Sequence, residues 1–210
     1  MSWISLECGA TAPGSERRKL VVRYAKEHKQ VTRQRIIEKA GQRFKQDGID
    51  GSGISTLMSD AGLTNGAFYA HFTSKDDLVA HVVAGELNTQ LSQYGTLRPG
   101  REGLKDLVRE YLSPEHRDNP GTGCPSAALL DEIGRCGDAT KEAYTDGARN
   151  IIDEIAARLT PEDPQSARGT ALGLYTMMVG TLQLSRALSD RKLSDEVLEQ
   201  GIGNAYAVLG

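Results

Sequence analysis

The sequence predicts an all-α fold: a short helix-turn-helix in the N-terminal third, followed by a larger set of helices. Three observations carry that prediction. Apolar residues recur at helical spacing, as in Ile54, Leu57, Met58 and Ala61 at i, i+3, i+4 and i+7. Two short stripes of this kind are joined by a glycine corner at Gly62. The chain then ends on two long apolar patterns, one through Ala171, Leu174, Tyr175, Met178, Val179 and Leu182, the other through Leu198, Ile202, Ala205, Tyr206 and Leu209.

Residues 1–22 show no periodicity and contain Gly, Pro and Ser, which reads as a loose tail. Its Arg17, Arg18 and Lys19 are a solubilising cluster, although basic arms also lie along minor grooves and phosphates. From about Val22 to Asp47 one helix repeats Ile37, Ala40, Gly41 and Phe44 on one side. Lys29, Arg33, Arg35, Lys39, Arg43 and Lys45 fall on the other faces, and Gly48 ends it. Ser52 is the expected cap of the next helix, Gly62 its left-handed stop and Leu63 the seal of the corner. Thr64 caps a second short helix from Asn65 to Phe72. Its Phe68 and Phe72 face inward, and Thr64, Asn65, Tyr69 and His71 point out. This is the plan of a helix-turn-helix whose second helix can enter a major groove end-on.

Ser74 opens the following helix with a capping box to Asp77. Lys75 sits in its first turn against the helix-dipole preference, which a nearby phosphate would explain. Leu78, Val79, Val82, Val83 and Leu87 form its buried stripe. The segments 95–101 (GTLRPGR) and 113–123 (SPEHRDNPGTG) read as loops, with a short helix through Leu104, Leu107, Val108 and Tyr111 between them. CPSAALLDEIGR is a further helix with Cys124 at its cap and Pro125 at the first helical position. A longer helix runs from about Asp138 through Tyr144, Ala148, Ile151, Ile155 and Leu159 and stops near Thr160–Pro161. The last two helices are expected over Pro164–Leu188 and Ser194–Leu209. Gly169, Gly173 and Gly180 in the first of them allow close helix approach.

The run AGLTNGAFYAHFTSKDDLVA resembles the signature of TetR/AcrR-family transcriptional regulators: a Gly-apolar-Ser/Thr turn, an aromatic-rich recognition helix, then F-x-S-K-x-x-L. The match is specific over roughly residues 31–80. The resemblance implies a tail at 1–22, a helix-turn-helix DNA-binding domain at 23–74, and a helical regulatory and dimerisation domain at 75–210. It implies a homodimer, paired through the last two helices of each chain, on a pseudo-palindromic operator in double-stranded DNA. A small-molecule effector would release this repressor.

The DNA-contact candidates are Arg33, Thr64, Asn65, Gly66, Tyr69, His71 and Lys75. Thr64, Asn65 and Tyr69 are placed for phosphate or base edges, His71 and Lys75 for the backbone. The plainer alternatives are that Tyr69 packs and that His71 and Arg33 are only solvated. Typical members carry a lysine where this chain has Asn65, so an operator sequence cannot be borrowed from relatives. Candidate effector-pocket residues are Tyr111, Cys124, Tyr144, Tyr175, Met177 and Met178, although ordinary packing is the plainer reading of each taken singly. Cys124 also carries an alternative, a regulator switched by oxidants or electrophiles, because a helix N-terminus favours the thiolate; a small packing residue is the plainer reading. Cys136 is no partner for it: twelve residues of helix span about 18 Å, against a disulfide limit of ~7 Å between Cα atoms.

The whole chain bounds these readings. Its 210 residues make one or two domains, with 39% hydrophobic and 25% charged residues, ordinary for a soluble globular protein. No apolar run approaches the ~20 residues of a membrane span, no signal peptide is evident, and three cysteines form no disulfide framework. The expected setting is a reduced cytoplasm. Residues 1–46 hold 11 Lys+Arg against 4 Asp+Glu, net +7, and the rest 14 against 24, net −10, so one end suits a polyanion. No metal, nucleotide or nucleophile motif is present, and the histidines at 28, 71, 81 and 116 lack ligand spacing. An enzyme, a metal site and a bound cofactor are therefore not expected.

Overall fold

Helical periodicity and local caps turn the chain into α-helices joined by short corners. In the computed structural model the backbone is described for residues 13–210 and the side chains for residues 27–210. Residues 1–12 of the expected tail, with Cys8, lie outside the described residues, as do the side chains of Arg17, Arg18 and Lys19. The elements are α1 (Pro13–Asp47), α2 (Ile54–Asp60), a 3-10 turn (Asn65–Ala70), α3 (Lys75–Tyr94), α4 (Gly100–Tyr111) and α5 (Pro114–Asp118). A second 3-10 turn (Pro120–Thr122), α6 (Pro125–Arg135), α7 (Asp138–Leu159), α8 (Pro164–Ala187) and α9 (Arg191–Leu209) complete the order.

Outside the helix-turn-helix, three boundaries differ from the sequence expectation, each for a local reason. Helix α1 starts at Pro13, ahead of Val22, because proline is tolerated at the first helical position and the ERRKL run that follows is made of good helix formers. The expected loop 113–123 contains α5, where the Ser113 side chain accepts from the His116 N–H and Pro114 stands at the first position. Helix α9 starts at Arg191, before Ser194, because the Asp190 carboxylate accepts from the N–H groups of Lys192 and Leu193.

The N-terminal part closes over Ile36, Ala40 and Phe44 of α1, Leu57 and Met58 of α2, Phe68 and Phe72, and Leu78 at the start of α3, all buried. Burial of a phenylalanine contributes about 1.5–3 kcal/mol, so this cluster fixes the corner geometry. Helix α3 then runs on into the larger helical part. There it packs on α7, α7 on α8, and α8 on α9. Arg158 of α7 donates to the Tyr94 and Arg98 carbonyls at 2.6 and 2.9 Å, closing the C-terminal end of α3.

Where α7 crosses α3 the contact needs a glycine. A Cβ on Gly147 would stand 2.5 Å from Leu87 Cδ1 and 2.7 Å from Leu87 Cβ. The corner between α4 and α6 is held by polar contacts instead. His116 Nδ1 donates to the Tyr111 carbonyl at 2.7 Å, while Nε2 accepts from the Cys124 N–H at 3.0 Å. Arg186 of α8 donates to the carbonyls of His116 and Arg117. Burial, then the charges of Arg186 and Lys45, push the His116 pKa below 6.5, against the Tyr111 hydrogen bond that raises it.

Two outcomes follow. Gly147→Ala destabilises the fold by about 1–3 kcal/mol in chemical denaturation, because overpacking exceeds the helix-propensity gain of alanine. The neutral His116 binds fewer protons folded than unfolded, so its contribution is complete above pH 6.5 and is lost as pH falls from 6.5 towards its lowered folded pKa. His116→Gln flattens that slope in denaturation series across pH 5–7.

Candidate nucleic-acid interface and cleft

The reading head is built by one exact hand-over between α2 and the 3-10 turn. Gly62 takes φ +69°. The Leu63 N–H bonds the Met58 carbonyl at 2.8 Å and the Gly62 N–H the Ser59 carbonyl at 2.9 Å, the paired bonds of a Schellman stop. Two expected caps are corrected. Ser52 does not cap α2, whose N-cap is Gly53; its buried hydroxyl donates to the Gly48 carbonyl and ties the corner after α1. Thr64 occupies the N-cap position in extended backbone, but its side chain makes no capping bond. The segment it precedes is a 3-10 helix ending at Ala70, not an α-helix to Phe72. Without a side-chain cap a segment this short closes more bonds in the tighter 3-10 form.

Three residues per turn place Gly66 and Tyr69 on one outward face. Tyr69 is 72% exposed, and its ring stands edge-on to buried Phe68 at 5.2 Å. Thr64, Asn65 and Gly66 are also exposed. A Cβ at Gly66 would meet nothing within 4 Å, so the fold itself does not require glycine there. Phe68 and Phe72, at 5.7 Å, anchor the turn from beneath.

The remaining candidates are tied more closely to the protein than the sequence reading placed them. Arg33 is half-buried: Nε donates to the His71 carbonyl at 3.3 Å, and the guanidinium lies 4.4 Å from the Phe72 ring centroid. His71 is half-buried rather than pointing out. Burial first, then Lys29 and Arg33, lower its pKa, and its Nδ1 has no hydrogen-bond partner. The Lys75 ammonium donates to the Ile49 carbonyl, which accounts for a cation in the first turn of α3 without a phosphate. One of its three donors is used this way. The Ser74 hydroxyl accepts from the Asp77 N–H, and the Asp77 carboxylate answers by accepting from the Thr73 N–H and hydroxyl. Arg43, on the far side of α1, is held by Asp60 and Asp47. Exposed Lys29 and Arg35 extend the positive surface beside Arg33.

A cleft of about 680 Å³ opens in the larger helical part, between α3, α4, α5 and the 119–125 segment. That volume suits a small organic molecule. Of the six candidate pocket residues, Tyr111 and Cys124 line it. Tyr144, Tyr175, Met177 and Met178 are not among its walls. The Tyr144 and Tyr175 hydroxyls both meet the buried Ser126 hydroxyl, at 3.0 and 2.7 Å, Met178 is core, and Met177 packs against the core. Helical spacing could not separate these from wall residues, because both kinds face inward. Cys124 is buried, with its Sγ donating to Gln90 Oε1 at 3.5 Å. Cys124 and Cys136 are both free and stand at opposite ends of α6.

The sequence reading missed the contacts that join the two parts. Lys45, near the end of α1, pairs with Glu86 of α3 at 2.5 Å and donates to the Gly123 carbonyl at 3.0 Å. Glu132 of α6 accepts from the N–H groups of Ile49 and Asp50. A lone lysine and glutamates on separate helices carry no spacing signal.

Comparison with known proteins places these features. Residues 36–82 match the model of bacterial regulatory proteins of the tetR family. An HTH-type transcriptional regulator of Staphylococcus aureus is 32% identical over 90 residues, 41% of this chain and 49% of that protein. The HTH-type transcriptional regulator AcrR of Shigella flexneri is 36% identical over 62 residues, 30% of this chain and 29% of the relative. The matched region thus spans about half or less of the length of these curated relatives. The reduced form of Escherichia coli NemR shares the fold, with a TM-score of 0.71 at 20% identity over 84% of this chain and 95% of that one. Residues 36–82 thus carry a tetR-family helix-turn-helix region, ahead of a larger helical part, and the chain as a whole is similar to TetR/AcrR-family transcriptional regulators.

Proposed function

We propose that the chain is a repressor that binds a pseudo-palindromic operator as a homodimer and is released by a small molecule held in the cleft. The observation that carries the DNA reading is the Gly66–Tyr69 face, an exposed aromatic over an open glycine position on a turn anchored from below. Tyr69, Asn65 and Thr64 reach the DNA, and the free donors of Lys75 and Arg33 meet phosphates at its edge. The DNA-binding domain is read as 23–74 and the regulatory and dimerisation domain as 75–210. On α8, Gly169, Gly173 and Gly180 lie on one face with open space above them, beside exposed Leu172 and Leu184. A second copy of this chain covers that face. Its action on DNA places the protein in the cytoplasm.

The test is titration of randomised-selection operator DNA at increasing salt. The wild type binds as two chains per site and weakens steeply with salt. Tyr69→Ala lowers affinity at least about tenfold with unchanged unfolding, the size of a lost stacking or phosphate contact. Leu184→Glu shifts sedimentation to monomer and lowers affinity. Salt-independent binding, or binding indifferent to both substitutions, would sink this reading.

A second reading places the switch on Cys124, whose thiol stands in the cleft wall at the start of α6. In that case N-ethylmaleimide releases the wild type from operator DNA but leaves Cys124→Ser bound. Equal behaviour of the two removes it.

A further inference from the structure

The cleft has one sign of charge. Its walls carry the carboxylates of Glu86, Glu110 and Glu115 and no lysine or arginine. Glu110 and Glu115 are exposed and make no ion pair among the described residues. The imidazole of His116, a wall group able to carry positive charge, accepts the Cys124 N–H at Nε2, and burial above all lowers its pKa. Tyr111 is only 5% exposed, lines the cleft, and has a hydroxyl without a hydrogen-bond partner. Tyr94 supplies a second aromatic wall. Carboxylates beside aromatic faces and an unpartnered buried hydroxyl are the recognition chemistry of an organic cation with an apolar body.

Glu86 differs from the other two carboxylates because it already holds a cation, and that cation comes from α1. Lys45 is 4% exposed at its side chain, pairs with Glu86 at 2.5 Å, and reaches the Gly123 carbonyl, which belongs to another wall residue. Asp118 and Arg186 are the nearest further charges on the α5 and α8 side. Asp118 is taken up by Arg117 and Arg191, while Arg186 donates through Nε and one Nη to backbone carbonyls and leaves its other Nη without a partner. Among the described residues, Lys45 is the cation paired with Glu86, and so the one that an arriving ligand cation meets there.

We propose that the cleft selects a small organic cation and that this cation competes with Lys45 for Glu86, so that filling the cleft loosens the docking of α1. Two like charges cannot share the half-buried carboxylate of Glu86 without mutual repulsion. Any consequence for operator binding rests on the regulator reading above, because α1 also carries Arg33 at the reading head. Binding and docking are reciprocal: whatever weakens the Lys45–Glu86 pair strengthens the cation's hold.

The experiment uses the full chain without DNA, so its failure leaves the DNA-binding reading standing and the reverse also holds. Calorimetric titrations compare tetraphenylphosphonium with tetraphenylborate, which share a shape and differ in charge. The phosphonium binds at least about tenfold more tightly than the borate, and Glu110→Gln/Glu115→Gln, both exposed positions, removes most of that preference. Lys45→Met tightens phosphonium binding several-fold, the opposite sign to a merely structural loss. As a readout that needs no variant to fold, saturating phosphonium accelerates acetylation of Lys45 by acetic anhydride, followed by mass spectrometry. Equal binding of the two ions, or binding of neither, overturns the charge selection. An unchanged Lys45 acetylation rate on saturation overturns the competition.

Discussion

A six-residue 3-10 turn makes too few backbone bonds to hold itself in water, so whatever it presents depends on what is buried beneath it. Here the anchors are Phe68 and Phe72, both buried against Phe44, Leu57 and Leu78. Tyr69 stands outward because Phe68 before it and Phe72 after it are fixed inward. The Gly62 stop sets the direction from which the turn arrives, and the Ser74 cap the direction in which it leaves. Arg33 completes the arrangement by bracketing the end of the turn, through the His71 carbonyl and the face of Phe72. The exposed chemistry is thus positioned by apolar burial on three helices.

The same first helix meets both regions of interest. Arg33 and Lys45 are twelve residues apart, about 18 Å along the axis. One end is bonded to the reading head and the other to the wall of the cleft. Lys45 and Glu132 grip the two sides of the same connection: one reaches from α1 to the carbonyl before α6, the other from α6 to the amides after α1. These are charge-assisted contacts with little solvent around Lys45, where small changes in neighbouring charge have large effects. Apolar packing, by contrast, holds α3 to α7 through Leu87 and Gly147 and responds little to charge.

Local signals made much of this legible. The i, i+3, i+4 stripes located most helices, Gly62 and Ser74 marked their ends, and Pro125 after Cys124 placed the start of α6. The inward aromatics Phe68 and Phe72 followed from spacing alone. What the sequence obscured was of two kinds. Cap assignments failed where two candidates stood close together: Ser52 is one residue from the true cap, and its hydroxyl found a carbonyl within its own corner. Two of the six residues named for a pocket line the cleft, since Tyr175 and Met178 share the helical phase of a wall residue and differ from one only in what lies opposite. Ion pairs between distant helices, such as Lys45 with Glu86, leave no periodic trace at all.

Helix α3 begins at Lys75 under the reading head and ends at Tyr94 beside the cleft, twenty residues or about 30 Å of continuous hydrogen-bonded backbone. Its first turns are buried with one part of the molecule and its last turns with the other. A chain built this way has no slack segment at which its halves could be exchanged as ready-made modules. Any recombination that borrows a different reading head must cut within a helix and preserve its phase, since one residue more or less turns every later side chain by about 100°. Diversification of such a protein is therefore easier by substitution on its exposed faces than by shuffling of its parts.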